Sequence, residues 1–441
     1  EKAYTWSELD KDSLIILKYP TGFERYDPDT GEELYAIMRR NLYGTPNAAI
    51  NYVRTRDDFI LKAFNKDGWT MSCQRSVMDP SLFWLTRNGK NTWMVAFVDD
   101  IDIASECEEH AQLIYDTMNK EWKCKEVPTT YMLGVKRTLT VTDSVRSMNL
   151  TMEPYIEGMY ATFKDYVPKR TVDTPCEPNL LLSLENESTV DEHKRVLARG
   201  YQSAVGMCLW AARCIKPECL YTMGQLCKVM SKPTEEAWKA VMHLIAYMYQ
   251  HRHEGITFSS DGNHVPFFMT DASNKGDPID SKRAYGYCAM WMGGPIIAVA
   301  KKLDHSSSAT AANEYMSLSH SCKHAIWLRQ LFEEIGLGEI VHDPTLVYGD
   351  NNVANRWASD DRITSGNMWI LQCYHYVKEL CEGGENLINV KYVASANNLA
   401  DLFTKGVSKE TFHALQPYLC GSNKLTHLLQ RMIKDQGGQS S

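Results

Sequence analysis

The chain has 441 residues, 44% of them hydrophobic and 23% charged, an ordinary globular composition and too long for one core, so two or three domains are expected. Lysine and arginine (47) fall short of aspartate and glutamate (55), giving a formal charge of -8, which argues against a protein that coats phosphate backbones by bulk charge. Thirteen cysteines without a single Cys-x-x-Cys pair make neither a zinc ribbon nor a secreted disulfide framework, and a reducing, intracellular setting is expected. No run approaches the roughly 20 apolar residues of a membrane span. Glu1-Lys2-Ala3-Tyr4 also lacks the charged and apolar regions of a leader, so no membrane partner is expected.

In chain order, residues 90 to 104 read as a hairpin, with alternating apolar residues on either side of Asp99-Asp100 at its tip. Cys107 to Trp122 reads as helix, and Tyr131 to Thr142 as strand interrupted by Gly134. A mixed α/β block therefore ends near residue 155. Between Pro154 and Ser260 the pattern turns to long amphipathic runs, Glu192 to Cys214 and Thr234 to Tyr249, with few strand signals. The second begins at Lys232-Pro233-Thr234-Glu235-Glu236, where proline, a capping hydroxyl and acids suit a helix N-terminus.

Three strands are expected at Val265 to Thr270, Tyr285 to Trp291 and Pro295 to Lys301. Ser306-Ser307-Ser308 then supplies caps for a long helix ended by Gly336. Strand Thr345 to Tyr348, helix Asn352 to Ala358, helix Trp369 to Cys381, strand Leu387 to Val393 and a helix from Asn398 follow. Three strands, a helix, then alternating strand and helix predict a mixed sheet with flanking helices. Gln436 to Ser441 read as a disordered polar end.

Four acids in this last region stand at element ends or on helices facing the sheet: Asp271, Glu314, Asp350 and Asp401. Acids brought together without cations raise one another's pKa, so an ionised cluster calls for divalent ions, and oxygen ligands favour magnesium or manganese over zinc. Two such ions about 4 Å apart can activate water and stabilise the leaving oxygen of an in-line phosphodiester displacement. Any one of these acids alone reads as a cap or a solvated strand end; four in order in one domain do not.

The flanking residues give the pattern a family. Thr270-Asp271-Ala272-Ser273 with Gly276 to Arg283, Asn313-Glu314-Tyr315-Met316, Gly349-Asp350-Asn351 and Leu399-Ala400-Asp401-Leu402-Phe403-Thr404-Lys405 resemble the ribonuclease H of copia-type (Ty1/copia) retrotransposon Pol polyproteins. Upstream, Pro20-Thr21-Gly22-Phe23, Leu42-Tyr43-Gly44 and Phe97-Val98-Asp99-Asp100 resemble reverse-transcriptase motifs, and Ser231-Lys232-Pro233-Thr234 with Trp238 resembles the link between the two activities. The resemblance implies an α/β, multidomain chain: a truncated reverse-transcriptase palm at 1–155, a mostly helical thumb and connection at 156–262, a ribonuclease H-like mixed sheet with flanking helices at 263–415 and a tail at 416–441.

The implied activity is metal-dependent hydrolysis of RNA in RNA/DNA hybrids by Asp271, Glu314, Asp350 and Asp401, with two Mg2+ or Mn2+ ions and Asp271 bridging them. Asp99 and Asp100 would be palm carboxylates, Asp99 the direct metal ligand. Substrate contacts are implied for Gly44, Asn47, Ser273, Asn351 and Lys301, and the partners are an RNA/DNA hybrid or template-primer, with other Pol products or a second subunit. By analogy with the family the setting is a cytoplasmic virus-like particle and then the nucleus.

This sequence departs from the family in three places. The other palm aspartate falls upstream of Glu1, so RNA-directed DNA synthesis requires that residue and the fingers to be supplied. Phe97 replaces a tyrosine and Asn47 a glutamine, and Asn367-Met368-Trp369-Ile370 stands for a Lys-His-Ile segment, with His375 nearby and given no catalytic role. The competing reading is a degenerate retroelement-derived structural or nucleic-acid-binding subunit of a larger assembly, favoured by the truncated palm.

Two other constellations are weighed against zinc or catalysis. His320 and His324 at i and i+4 lack a glutamate after His320 and a further ligand, and His251-Arg252-His253 beside Glu254 reads as a solvated charge cluster. Further phosphate contacts are expected from Lys164, Lys169, Arg170, Arg213, Lys216, Lys232 and Lys302.

Overall fold

The computed structural model describes residues 7–9, 14–45, 47–65, 71–183, 189–305, 307–364 and 367–437. Ala3-Tyr4, Ser306 and residues 438–441 of the polar end lie outside them. The chain divides into two compact units, residues 1–126 with 333–336 and residues 127–332 with 337–441.

In the first unit β1 (Ile16–Lys18), β2 (Arg25–Tyr26) and β3 (Glu33–Ile37) form a small antiparallel sheet in the order β1-β3-β2. Helix α1 (Ala48–Phe64) leads into an antiparallel meander of β4 (Met71–Arg75), β5 (Leu82–Arg87), β6 (Lys90–Phe97) and β7 (Asp100–Ser105), closed by α2 (Glu108–Trp122). Strand alternation sets its inner face: Thr92, Met94 and Ala96 of β6 are buried while Val95 and Phe97 are exposed. Ile60 and Phe64 of α1 and Ile114 and Met118 of α2 cover that face against Phe83, Leu85 and Met94.

The second unit opens with β8 (Tyr131–Met132), β9 (Val135–Thr142) and β10 (Val145–Thr151), an antiparallel set split at Gly134 as expected. Five helices follow: α3 (Glu153–Phe163), α4 (Val190–Ala198), α5 (Tyr201–Cys214), α6 (Leu220–Lys228) and α7 (Glu235–Gln250). The single run expected from Glu192 to Cys214 is two helices, because Gly200 takes φ +92° between them, a conformation glycine adopts without steric penalty. Thr234 caps α7 as its sequence predicts, its hydroxyl accepting from Ala237 N at 3.1 Å. Strand β11 (Ile256–Ser259) then returns to pair with β10, more than 100 residues earlier in the chain, a pairing without local signal.

A five-stranded mixed sheet forms the rest of the unit. It contains β12 (Phe267–Gly276), β13 (Arg283–Trp291), β14 (Gly294–Lys302), β15 (Thr345–Gly349) and β16 (Ile388–Tyr392), in the order β14-β13-β12-β15-β16. The first three are antiparallel and β15 and β16 join in parallel, which is the mixed sheet the sequence predicts. Helix α8 (Thr310–Glu334) crosses from β14 to β15, and α9 (Asn352–Trp357) and α10 (Leu371–Glu382) precede β16. The chain then continues through α11 (Asp401–Thr404), α12 (Lys409–Leu419) and α13 (Leu425–Gly437), so Gln436 and Gly437 of the expected polar end are helical.

One apolar cluster joins the helical region to the sheet, running from Met152 and Trp238 through Met269, Cys288 and Met290 to Phe403, Leu415 and Leu428. The fold is a mixed α/β one in which that shared core fixes the helices against the sheet. All thirteen cysteines are free thiols. Among the described residues no helix is long and apolar enough to cross a membrane.

Candidate active site

β12 does not end at Thr270; it runs on to Gly276, leaving Asp271 within the strand and opposite Gly286 of β13. The parallel register sets Thr270 beside Gly349, so the residues that follow them, Asp271 within β12 and Asp350 just past the end of β15, emerge as neighbours. Asp401 opens α11, which lies across β12 and β13. Gly286 makes that crossing possible, because a Cβ there would lie 2.3 Å from Phe403 Cβ and 2.9 Å from the Val299 oxygen. Asn398 fixes the approach: its Nδ2 donates to Thr270 O at 3.0 Å, and its Oδ1 accepts from Ala400 N at 3.1 Å. As a result one carboxylate oxygen from each of Asp271, Asp350 and Asp401 lies within 4.8 Å of the other two.

Glu314, in the first turns of α8, is tied to the same strand: its Oε2 accepts from Ala272 N at 2.8 Å. Ser317, three residues on, donates to Asp271 O at 2.9 Å and shares a 2.6 Å hydrogen bond with the Thr270 hydroxyl. Three of the four expected acids thus share one cluster, and Glu314 stands at its edge. Asp271, Glu314 and Asp401 are buried to 3%, 8% and 5% exposure, where a carboxylate resists ionisation. Burial, then the neighbouring Asp271 and Asp350, push Glu314 up to about 10. Burial and Asp271 push Asp401 up to about 7. Asp271 is also raised, by burial and by Asp350, against the pull of Lys405 and Thr404.

Two partners orient the acids. Thr404 Oγ1 donates to Asp271 Oδ2, and Ser395 Oγ donates to Asp350 Oδ2 at 2.6 Å. Lys405, one turn after Asp401, places Nζ 2.9 Å from Asp401 Oδ1 and 4.0 Å from Asp271 Oδ2. Burial opposes its charge, but the two carboxylates outweigh that and hold it above the usual lysine range. That 2.9 Å contact is an ion pair in which Lys405 offsets part of the negative charge of Asp401. An oxygen-only donor set in which several carboxylates face one lysine fits a hard divalent cation.

Around the cluster, Ser273 is half-buried two residues beyond Asp271, its hydroxyl donating to Lys275 O at 3.2 Å. Asn351 caps α9, accepting from Val353 N at 3.0 Å and Ala354 N at 3.1 Å. Lys301 is exposed on β14. Lys216 is buried, donating to His251 O at 2.9 Å, and so faces no solvent. His375 is exposed on α10. His324 Nδ1 sits 2.6 Å from the Tyr287 hydroxyl and His320 stacks on Tyr285, both packed against β13 rather than grouped as ligands. His251 pairs with Glu254, Arg252 with Glu157 and His253 with Glu153, which is the charge cluster the sequence predicts.

In the first unit Val98 and Asp99 form the two-residue turn and Asp100 begins β7, one residue earlier than the expected Asp99-Asp100 tip. Asp99 and Asp100 are both exposed, and among the described residues no third ligand groups with them. Tyr52 of α1 pins this turn by donating its hydroxyl to Val98 O at 3.0 Å. Burial, with a contribution from Asp99, pushes that phenol up to about 12. Gly44 takes φ +92°, and Asn47 is exposed at the start of α1. Sequence reasoning assigned no role to Gly286, Ser395, Asn398, Thr404, Lys405 or Tyr52. Thr404 and Lys405 carried a signal in their i+3 and i+4 spacing from Asp401, whereas the other four are set by long-range packing.

No family model matches the chain. It is 24% identical over 407 residues to the retrovirus-related Pol polyprotein from transposon TNT 1-94 of Nicotiana tabacum, covering 91% of this chain and 29% of that protein. It is 25% identical over 400 residues to the counterpart from transposon RE1 of Arabidopsis thaliana, covering 90% of this chain and 25% of that protein. Its fold was also matched to the crystal structure of RNase H1 from Halobacterium salinarum NRC-1, at 16% identity and a TM-score of 0.24, over 32% of this chain and 93% of that one. Along nine-tenths of its length the chain is similar to these retrotransposon Pol polyproteins, of which it spans between 25% and 29%. The relatives it falls with are of the copia type.

Proposed function

We propose that the chain is the reverse transcriptase and ribonuclease H portion of a copia-type Pol polyprotein, and that its second unit hydrolyses the RNA strand of RNA/DNA hybrids. The convergence of Asp271, Asp350 and Asp401 within 4.8 Å, with Glu314 bonded to the backbone next to Asp271, carries this reading. Asp271, Glu314, Asp350 and Asp401 would hold two Mg2+ or Mn2+ ions, which when bound supply activation of water and stabilisation of the leaving oxygen in phosphodiester hydrolysis. The protein's own part is placement. Thr404 and Ser395 fix the facing carboxylates, Asn398 and Gly286 seat α11, and Lys405 offsets charge beside the reacting phosphate. Ser273, Asn351 and Lys301 lie on neighbouring strands and turns as candidate substrate contacts, and hybrid recognition would rest on groove shape and 2′-hydroxyls rather than base identity.

The first unit is read as part of a polymerase palm with Asp99 and Asp100 as its hairpin carboxylates and Gly44 and Asn47 near the template-primer. RNA-directed DNA synthesis would need a further acid and the fingers from residues outside this sequence. The setting that goes with this reading is a cytoplasmic virus-like particle, then the nucleus.

The test is Asp271→Asn in the full chain with a labelled RNA/DNA hybrid and magnesium. Cleavage is expected to fall by on the order of 10³-fold or more, as for loss of an essential charge-stabilising group, while hybrid binding persists. Undiminished cleavage rejects the assignment. Absence of both cleavage and primer extension in the parent chain, in magnesium and manganese, would leave a structural or binding subunit.

A further inference from the structure

A cavity of about 380 Å³ opens next to the acidic cluster, between α6 and the face of β12, β13 and β14. Six lysines line it: Lys228 from α6, Lys275 near the end of β12, Lys282 from the β12–β13 turn, Lys301 and Lys302 from β14, and Lys405 after α11. The acid among its lining residues is Asp277. In a chain whose net charge is -8, this is a local inversion of sign.

The cavity is built rather than incidental. Asp277 is buried, and one oxygen, Oδ2, holds Lys228 Nζ at 2.7 Å and Lys302 Nζ at 3.0 Å. Its other oxygen accepts from Ile279 N at 2.9 Å. Lys302 is also bonded to Asp280 at 3.2 Å. These carboxylates fix two ammonium groups at the cavity wall, and among the described residues Lys275, Lys282 and Lys301 are not ion-paired. Lysines clustered in this way, three half-buried and three exposed, favour an anion at the cavity.

The neighbouring site identifies the anion. Thr404 and Lys405 line the cavity and also contact Asp271 and Asp401. Ser273 and Lys275 continue β12 beyond Asp271, and four residues of strand extend at most about 14 Å. A nucleic-acid strand held at the carboxylates would therefore carry further phosphates to the cavity mouth. We propose that the cavity is a phosphodiester-binding subsite that anchors the nucleic-acid backbone beside the cleavage site, with the helical region contributing Lys228. This rests on the nuclease reading above.

The experiment places Lys282→Gln and Lys301→Gln together in the full-length Asp271→Asn chain and measures binding of a labelled RNA/DNA hybrid across a salt series in magnesium. About tenfold weaker binding is expected, with the slope of log K against log salt reduced by nearly one for each lysine removed. The matching pair of lysine-to-arginine changes should restore affinity to within about twofold, since phosphate recognition survives that exchange. Thermal melting identifies any variant that fails to fold. Unchanged affinity and slope in a chain that binds hybrid would overturn the subsite and leave the nuclease reading standing. Lack of cleavage by the parent chain, with no hybrid binding by either chain, would instead remove the nuclease reading. Saturable binding of inorganic phosphate alone, lost with the same two lysines, would make this a small-anion site and overturn the backbone assignment.

Discussion

The two acidic sites of the molecule are built by opposite means. Asp99 and Asp100 come from adjacent positions in a hairpin whose strands are in register from Phe97 and Asp100 to Thr92 and Ser105, and both side chains face solvent. Asp271, Asp350 and Asp401 come from segments up to 130 residues apart and meet only because β12, β15 and α11 pack together. The first site is a property of local sequence. The second is a property of the fold, and burial opposes the ionisation of its Asp271, Glu314 and Asp401. In water two unit charges at 4 Å interact by only about 1 kcal/mol, whereas inside a protein they interact several-fold more strongly. Pushing Glu314 up to about 10 therefore requires enclosure as well as proximity.

The sharpest way to break the second site without touching an acid is Gly286→Ala. Its Cβ would meet Phe403 Cβ at 2.3 Å, so α11 must move and carry Asp401 with it. Cleavage should drop by about 10²-fold, the scale of a 1 Å misplacement in an active site, with destabilisation of about 1–3 kcal/mol from overpacking. A hybrid-cleavage assay beside a melting curve checks both, and full activity would show that α11 tolerates displacement.

A smaller effect follows from charge. Asp401 at about 7 and Glu314 at about 10 stand above the ordinary carboxylate range, so between those values and about 4 the folded chain holds protons that the unfolded chain has released. Burying these acids carries no electrostatic penalty below pH 4, and stability is lost as pH rises through 7 toward 10. In metal-free buffer the melting temperature of the second unit should fall between pH 5 and pH 9. Magnesium should reverse that fall, adding about 2.7 kcal/mol at a hundredfold excess over its dissociation constant. A melting temperature indifferent to magnesium at pH 9 would count against ion binding.

The smallest effect belongs to the hairpin. Val98 sits at φ +53°, a conformation that β-branched residues rarely adopt, and such strain is worth on the order of 1–3 kcal/mol. Val98→Gly removes it and adds back some chain entropy, so the first unit should gain up to about 1 kcal/mol in denaturant unfolding. A loss instead would mean that Val98 packing outweighs its backbone.

Most of the second unit's architecture was legible because its elements announce themselves locally. The Thr234 cap, the turn at Gly134 and the strand-helix alternation after β14 all carry short-range signals. The four acids were legible too, since each sits in a short motif. What the sequence hid is what distant residues decide. β12 continues past Thr270 because α8 and α11 cover residues too polar to read as strand, Ser317 and Asn398 taking up its backbone oxygens. Gly200 reads as one more position within a continuous amphipathic run until its φ is known. Six lysines scattered from 228 to 405 form a pattern only when α6 lies against the sheet.

The order in which the acids occur along the chain has a consequence for synthesis. A ribosome one residue past β15 has already produced Asp271, Glu314 and Asp350, yet the three-carboxylate centre stays open until α11 emerges about fifty residues later and closes over Gly286. Translation therefore sets a clock on the site, and a copy interrupted by a stop codon after β16 would retain every strand of the sheet and lack its third clustered carboxylate.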